Sequence, residues 1–189
     1  HDSECAALSD LWNNPDITDA IYLSIGNHLG GALIIDGQLS NGRTGRSGTF
    51  EHMTLVPDGL PCYCGQKGCM ECYCSVRALL NEGENLEGFF EEKGKENPNI
   101  LDRWDSFLSY LAMAINNLHM VIDCDIILGG HIAPYLTEED ITKLHQLVQK
   151  NTAFPEKEPF ILQGRRKKHA IAIGAALPYI LGFLNELGT

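Results

Sequence analysis

Short apolar runs bounded by glycine and polar turns mark four strands along the chain. They are AIYLSIG at 20–26, GALIIDGQL at 31–39, the apolar centre of DCDIILGGHI at 123–132, and PFILQG at 159–164. Each run has the length and the aliphatic content of a strand. The dipeptide Asp36-Gly37 is typical of hairpin turns, so residues 20–39 are predicted to form a hairpin-like meander.

Apolar residues at gaps of three and four mark helices between these strands. The strongest pattern runs from Ile100 to Ile122 and predicts one long amphipathic helix. The final stretch, 170–184, is apolar almost all round, which is typical of a buried helix or a docking helix. Strands alternating with helices predict an α/β or mixed α+β fold. Shorter helices are predicted at Cys5–Trp12, beginning behind polar Asp2 and Ser3, at Met70–Leu80, and at 137–150.

Composition narrows the class of protein. A chain of 189 residues with 44% hydrophobic and 21% charged residues fits one folded domain. The formal charge of −11 disfavours nucleic-acid binding by this chain, and the single basic run, 165–168, is interpreted as a solvated turn. No apolar run reaches the roughly 18 residues of a membrane helix and none begins the chain like a signal peptide, so no membrane partner is expected. The start HDSECAALSD lacks an initiator methionine, which suggests a piece of a longer protein.

Five of the seven cysteines lie within PCYCGQKGCMECYC at 61–74, after a loop of nearly thirty residues from Ser40 to Gly68. A loop of that length inside a compact domain needs a staple or a function. The spacing C-x-C-x4-C, with glycines before the third cysteine, allows three thiolates to converge on one zinc ion. His52 is the nearest histidine for the fourth position. The predicted zinc ligands are therefore His52, Cys62, Cys64 and Cys69.

The other cysteines fit less well into a metal site. Cys72 and Cys74 fall at the start of the next helix and are interpreted as packing residues, and a set of free buried cysteines is the alternative to the zinc site. An odd, clustered set of thiols is unlike a disulfide framework. It favours a reducing, cytoplasmic setting.

The stretch EHMTLVPDGLPCYCGQKGCMECYCS closely resembles the zinc-binding signature of the ROK family of repressors and sugar kinases, in which a His and then C-x-C-G-x-x-G-C-x-E hold a structural zinc. IYLSIGNHLGGALIIDGQL, DCDIILGGHI and AIAIGAAL resemble other family segments in the same order. The resemblance implies an α/β, actin/hexokinase-like (ribonuclease H-like) lobe with a zinc-stapled loop. It covers 1–189 as the C-terminal lobe, without the N-terminal lobe or the winged helix-turn-helix of repressor members.

The resemblance also implies roles for individual residues. Asp2 falls at the place of the catalytic base of sugar kinases, although from the residues alone a helix N-cap is favoured there. Glu71 matches a sugar-binding glutamate, with a carboxylate favoured by the helix dipole as the structural alternative. His52 matches a residue that binds zinc and donates to the sugar. His1 stands where kinases carry a sugar-contacting Asn, and Thr49 where they carry a sugar-binding Glu.

The phosphate loop departs from the kinase pattern. Where kinases have Gly-Thr-Gly this chain has Gly26, Asn27 and His28, and a histidine at the third place would crowd a phosphate. Gly129 and Gly130 match the later Gly-Gly turn. ATP binding is therefore expected to be weakened.

Three functions compete at this point. The favoured one is a sugar-binding effector domain of a ROK transcriptional regulator, which meets DNA only through a domain absent from this chain. The alternative is a ROK sugar kinase that uses ATP and Mg2+ on a hexose or amino sugar, and a zinc-stapled interaction module is the weakest. Dimers are common among relatives, so a homodimer is a further expectation.

Overall fold

The computed structural model describes residues 1–165 and 169–187, and its centre is one five-stranded mixed sheet. The strand order is β3-β2-β1-β4-β5. β1, β2 and β3 form an antiparallel meander, while β4 lies parallel to both β1 and β5. This arrangement confirms the predicted α/β lobe. The strands are β1 Ala20–Ile25, β2 Leu29–Ile35, β3 Gln38–Leu39, β4 Asp125–Gly129 and β5 Ile161–Gln163.

Helices cover both faces of the sheet. The long helix predicted from periodicity is present with slightly earlier bounds, Pro98–His119, and Asn97 caps it by accepting from the Asn99 N–H at 3.2 Å. The helices are α1 Asp2–Asn13, α2 Glu71–Cys74, α3 Val76–Leu79, α4 Leu86–Gly94, α5 Pro98–His119, α6 Glu138–Asn151 and α7 Ala170–Leu187, with 3-10 turns at Phe50–His52 and Ala133–Tyr135.

Three local predictions were wrong. The strand predicted to run through 31–39 is divided into β2 and β3 at Asp36 and Gly37, which take positive φ (52° and 71°), whereas the turn predicted there and the hairpin-like meander are confirmed. The helix predicted at Met70–Leu80 breaks at Ser75, whose extended backbone ends α2 and whose hydroxyl accepts from the Ala78 N–H to begin α3. Asp2 is not the N-cap of α1, because His1 holds that place.

The core lies mainly between the sheet and α5. Ile21, Leu23 and Ile25 of β1 point to that side with Ile126 and Leu128 of β4, as the alternation of a strand requires. The opposite face carries a smaller cluster in which α1 meets the sheet through Ala6, Ala7, Tyr22, Ala32, Ile34 and Ile127.

The last helix packs on α1 with one side only. A Cβ at Gly174 would lie 1.7 Å from the carbonyl oxygen of Cys5, so only glycine permits this approach. The opposite side exposes Tyr179, Phe183 and Leu184, at 82%, 60% and 53%. The prediction of a buried helix was therefore wrong for that side, and a docking role stays a prediction. Within the described residues, no helix has the length and apolar character needed to cross a membrane. The basic run lies largely outside the described residues, at 166–168.

Candidate functional site

The loop between β3 and α2 brings together the four side chains that the sequence predicts as zinc ligands. Nδ1 of His52 lies 3.8 Å from Sγ of Cys62, and Sγ of Cys64 lies 3.7 Å from Sγ of Cys69. One ligand atom from each of the four lies within 4.8 Å of the others. Sulfur atoms that share a tetrahedral zinc at ~2.3 Å are about 3.8 Å apart, so the spacing and the chemistry of this donor set fit a zinc ion.

Backbone geometry holds the cysteines in place. Gly65 and Gly68 have φ of 90° and 74°, which the spacing argument requires. A Cβ at Gly68 would lie 1.8 Å from the carbonyl oxygen of Val56, so no other residue fits there. The backbone N–H of Cys62 donates to the Gln66 carbonyl at 2.8 Å, which closes the turn around the first two cysteines.

The two remaining thiols of the motif lie outside the four-residue cluster. Cys72 donates to the carbonyl of Pro61 at 3.6 Å, and burial raises its pKa to about 11. Cys74 is fully buried in the main core, and burial raises the pKa of its thiol well above the ordinary value. Both observations fit packing residues.

A cavity of about 650 Å3 opens where the carboxyl ends of β1 and β4 meet the start of α1. The end of a parallel strand pair is a common place for a ligand in α/β folds. The cavity contains most, though not all, of the residues that the resemblance implicates. The predicted residues that line it are His1, Asp2, Gly26, Asn27, His28, Thr49, Gly129 and Gly130.

Two predicted sugar contacts are turned to other partners. Glu71 is 5% exposed, and its carboxylate binds Nδ1 of His28 and accepts from the Leu29 N–H, each at 2.7 Å. Nε2 of His52 faces the hydroxyl of Tyr63 at 3.5 Å, and the Tyr63 ring stands edge-on to both His52 and His28 with centroids 5.3 Å apart. Neither Glu71 nor His52 is among the lining residues of the cavity.

Thr49 and Glu51 differ in whether their side-chain oxygens are already hydrogen-bonded within the chain. The Thr49 hydroxyl donates to the Arg46 carbonyl at 2.8 Å. Glu51 lines the cavity, is half-buried, and keeps a carboxylate oxygen that finds no hydrogen-bond partner among the described residues. Burial raises the pKa of Glu51, its own backbone N–H and His52 lower it, and the negative charge of Glu71 raises it further. Sequence reasoning missed Glu51, although it stands directly before the predicted zinc ligand.

The profile of the ROK family matches residues 1–179, nearly the whole chain. The chain belongs to the ROK family. An N-acetylmannosamine kinase of Vibrio cholerae is 31% identical to it over 160 residues, which cover 79% of this chain and 54% of that relative. This ROK lobe thus spans about half the length of the curated relatives it matches.

Solved ROK structures share the fold. A glucokinase from Streptomyces griseus, in complex with glucose and AMPPNP, superposes with a TM-score of 0.82 at 24% identity, over 94% of this chain and 66% of that one. A transcriptional regulator homologous to the E. coli MLC protein gives 0.79 at 23% identity, over 93% and 50%. These two likenesses establish the architecture, and they include both an enzyme and a regulator.

The two segments predicted as phosphate loops, at 26–28 and 129–130, both line the cavity. Gly130, with φ of 79°, packs so closely on β1 that a Cβ would lie 2.5 Å from the Ile25 nitrogen. A Cβ on Gly26 would lie 3.6 Å from Nδ1 of His131. His131 and His169, which sequence reasoning did not single out, also line the cavity. The position of His131 directly after the Gly-Gly turn was the available signal.

Proposed function

We propose that this ROK lobe is the sugar-binding effector domain of a transcriptional regulator. The observation that carries the proposal is the contact of 2.7 Å between His28 and Glu71. His28 places an imidazole at the third position of the predicted phosphate loop, and Glu71 holds that imidazole through this contact. A kinase needs bare backbone at this position, so that amide groups can approach a phosphate. A domain that retains a sugar cavity but fills its phosphate loop is suited to sensing rather than to phosphoryl transfer.

Sugar binding is supported by the cavity and by the relatives. The cavity lining includes His1 and Asp2, which are both exposed at the start of α1. Either side chain can form a hydrogen bond with a hydroxyl group. Solved and curated relatives are named as kinases of glucose and of N-acetylated hexosamines. In a sensor, a sugar that binds one arrangement of the two lobes better than another shifts the population toward it.

Zinc has a structural role in this proposal. His52, Cys62, Cys64 and Cys69 would hold it, and the bound ion would tie the loop that carries Thr49 and Glu51 to the turn before α2. The chain supplies the thiolates and orients the imidazole so that Nδ1 faces the cysteines. Because such a site is absent from an unfolded chain, the free energy of metal binding stabilises the folded loop.

A ROK sugar kinase is the second candidate. It is favoured by the names of the curated relatives and by Asp2, which lies exposed in the cavity where it can accept a proton from a sugar hydroxyl. ATP with Mg2+ would supply the phosphoryl group in that case. DNA binding, in the regulator proposal, belongs to sequence outside these residues, and a cytoplasmic location and a homodimer remain predictions.

The test uses the full-length parent protein with a panel of hexoses and N-acetylhexosamines. Calorimetry should find binding of at least one sugar, while a coupled ATPase assay with the same sugar finds no turnover above background. Asp2→Asn should weaken sugar binding in a regulator. If the parent instead phosphorylates the sugar, and Asp2→Asn abolishes turnover while binding persists, the parent is a kinase.

A further inference from the structure

We propose that Glu51 is the carboxylate that accepts hydroxyl hydrogen bonds from the ligand in this cavity, and that the ligand is an uncharged sugar. The inference rests on the proposed sugar-binding function and deepens it. It assigns to Glu51 the contact that the family resemblance would place at Thr49.

The first observation is an unused acceptor. Oε2 of Glu51 is buried from water and has no hydrogen-bond partner among the described residues, although the side chain lines the cavity. Buried polar atoms in native proteins nearly always have partners, and a buried acceptor left unpaired costs about 1–3 kcal/mol. A ligand hydroxyl that donates to Oε2 would remove this cost. The orphaned oxygen therefore points to a donor that arrives from outside the chain.

The second observation is that the neighbouring candidates are occupied. The Thr49 hydroxyl donates within its own turn, to the carbonyl of Arg46. The Glu71 carboxylate already accepts from Leu29 and binds His28. Of the three residues in this part of the site, Glu51 is the one with a buried oxygen available for a new bond.

The third observation is that Glu51 is held in place by its neighbours. It lies in the 3-10 turn Phe50–His52, which is closed by the Met53 N–H donating to the Phe50 carbonyl at 3.0 Å. The Phe50 ring packs on β2 so closely that a Cβ at Gly31 would lie 2.4 Å from it. On the other side, His52 is anchored beside Cys62. A carboxylate fixed on both sides loses little entropy when a ligand binds.

The charges around the cavity indicate the class of ligand. Its described lining contains four carboxylates, from Asp2, Glu4, Asp10 and Glu51, and neither lysine nor arginine. The four histidine side chains of the lining, His1, His28, His131 and His169, carry no fixed positive charge at neutral pH, so an anionic ligand would meet repulsion that no lysine or arginine of this lining offsets. A neutral polyol supplies hydrogen-bond donors without that repulsion, and two adjacent hydroxyls suit the two oxygens of one carboxylate.

The experiment compares two isolated changes in the zinc-loaded, full-length parent. Glu51→Gln keeps the shape of the side chain and removes its charge and one acceptor. It should weaken binding of the best sugar in a panel of glucose, N-acetylglucosamine and N-acetylmannosamine by about 10- to 100-fold, the range for hydrogen bonds to charged groups. Thr49→Val, the matched control in the same turn, should change affinity by less than about threefold. Glucuronate, the anionic comparison, should bind more weakly than glucose.

Several results would overturn the inference. One is unchanged affinity in Glu51→Gln, whether or not Thr49→Val loses binding. Tighter binding of glucuronate than of glucose would refute the uncharged ligand. If Glu51→Gln loses zinc or fails to fold, Glu51→Asp is tested in its place. Aspartate keeps the negative charge, but its side chain is one methylene shorter, so its oxygens lie farther from the ligand. Wild-type affinity in Glu51→Asp would likewise contradict a hydroxyl contact. A wild-type parent that binds no sugar at all refutes the proposed function itself, which is a different result.

Discussion

At the scale of single residues, the pair formed by His28 and Glu71 stands at the third position of the predicted phosphate loop. The side chain of His28 is 51% exposed, while the side chain of Glu71 is 6% exposed. One member of the pair therefore faces solvent and the other is buried. The two residues are 43 positions apart in the chain. Their contact depends on how the zinc-site loop folds back on β2, which no local pattern reveals.

His28→Gly is therefore expected to reopen the loop. In the full-length parent it should improve the affinity for a non-hydrolysable ATP analogue by about fivefold, the worth of one hydrogen bond gained from newly accessible backbone. Calorimetric titration measures the change. His28→Asn is the matched control, because it keeps a side chain over the loop and a donor for Glu71, and it should give no gain. An equal gain in both variants, or none in either, would show that His28 does not block phosphate approach.

At the scale of elements, the long loop from 40 to 70 is expected to owe part of its order to a metal held by the cluster of His52 and three cysteines. Its regular structure among the described residues is limited to one 3-10 turn and two isolated bridges, Thr54 with Cys69 and Pro61 with Lys67. Backbone hydrogen bonds do cross the loop, such as those from the Leu55 N–H to the Gly68 carbonyl at 2.7 Å and from the Gly68 N–H to the Leu60 carbonyl at 2.8 Å. Ordering thirty residues with so little regular structure still carries a large entropic cost. A metal bound by this cluster would tie His52, in the middle of the segment, to the cysteines near its end and would reduce that cost.

Cys62→Ser should remove zinc and disorder this loop. The expected loss is large, because structural zinc contributes on the order of 10 kcal/mol of folding free energy in small sites. Elemental analysis and hydrogen exchange over residues 43–70 measure the two effects, with wild type holding about one equivalent. Cys72→Ser is the control, since its thiol lies outside the four-residue cluster, and it should keep the metal. Loss of zinc from Cys72→Ser would contradict the ligand assignment.

Three helices meet at a second polar cluster, around Asp140 at the start of α6. The buried carboxylate accepts from the Trp104 indole N–H of α5 at 2.7 Å and from Lys93 of α4 at 3.1 Å, and it closes the capping box with Thr137. Burial raises the pKa of Asp140, but the hydrogen bonds from Trp104 and Thr137, together with the Lys93 charge, outweigh it, and the pKa falls below its ordinary value.

Asp140→Ala should lower the free energy of unfolding by about 3 kcal/mol, since it leaves the indole and the ammonium without their buried acceptor. Chemical denaturation measures the loss. Asp105→Ala, which breaks the exposed pair with Lys143, is the control and should cost less than about 1 kcal/mol. Because the folded pKa of Asp140 is depressed, its contribution is present above the unfolded value of about 3.9 and is lost as the pH falls through the lower folded value. Equal losses in the two variants would contradict the buried network.

At the scale of the whole molecule, the sequence predicted what depends on local patterning. Strands β1, β4 and β5 and helix α5 follow from apolar runs and from gaps of three and four. Helix α4 was absent from the prediction, because only Phe89 among its residues is buried and its periodicity is weak. The family resemblance located the cavity through Asp2 and the glycines. It could not reveal that Glu71 is occupied or that Glu51 is unpaired, since both facts depend on side-chain contacts in three dimensions.

Net charge is a property of the whole chain, and it gives a test that separates regulator from kinase. With −11 at neutral pH, the 189-residue chain should bind DNA more weakly than about 10⁻⁴ M even at 50 mM salt, because it has few cations with which to release counterions. Fluorescence anisotropy with a labelled duplex measures this. The full-length parent, in the regulator proposal, should bind its own promoter DNA under the same conditions, and its affinity for that DNA should change when the sugar is added.

Replacing Lys167 and Lys168 with serine in the 189-residue chain is the control for the basic run. If the chain alone binds DNA and this variant does not, the run is a phosphate patch and not the solvated turn that the sequence predicts.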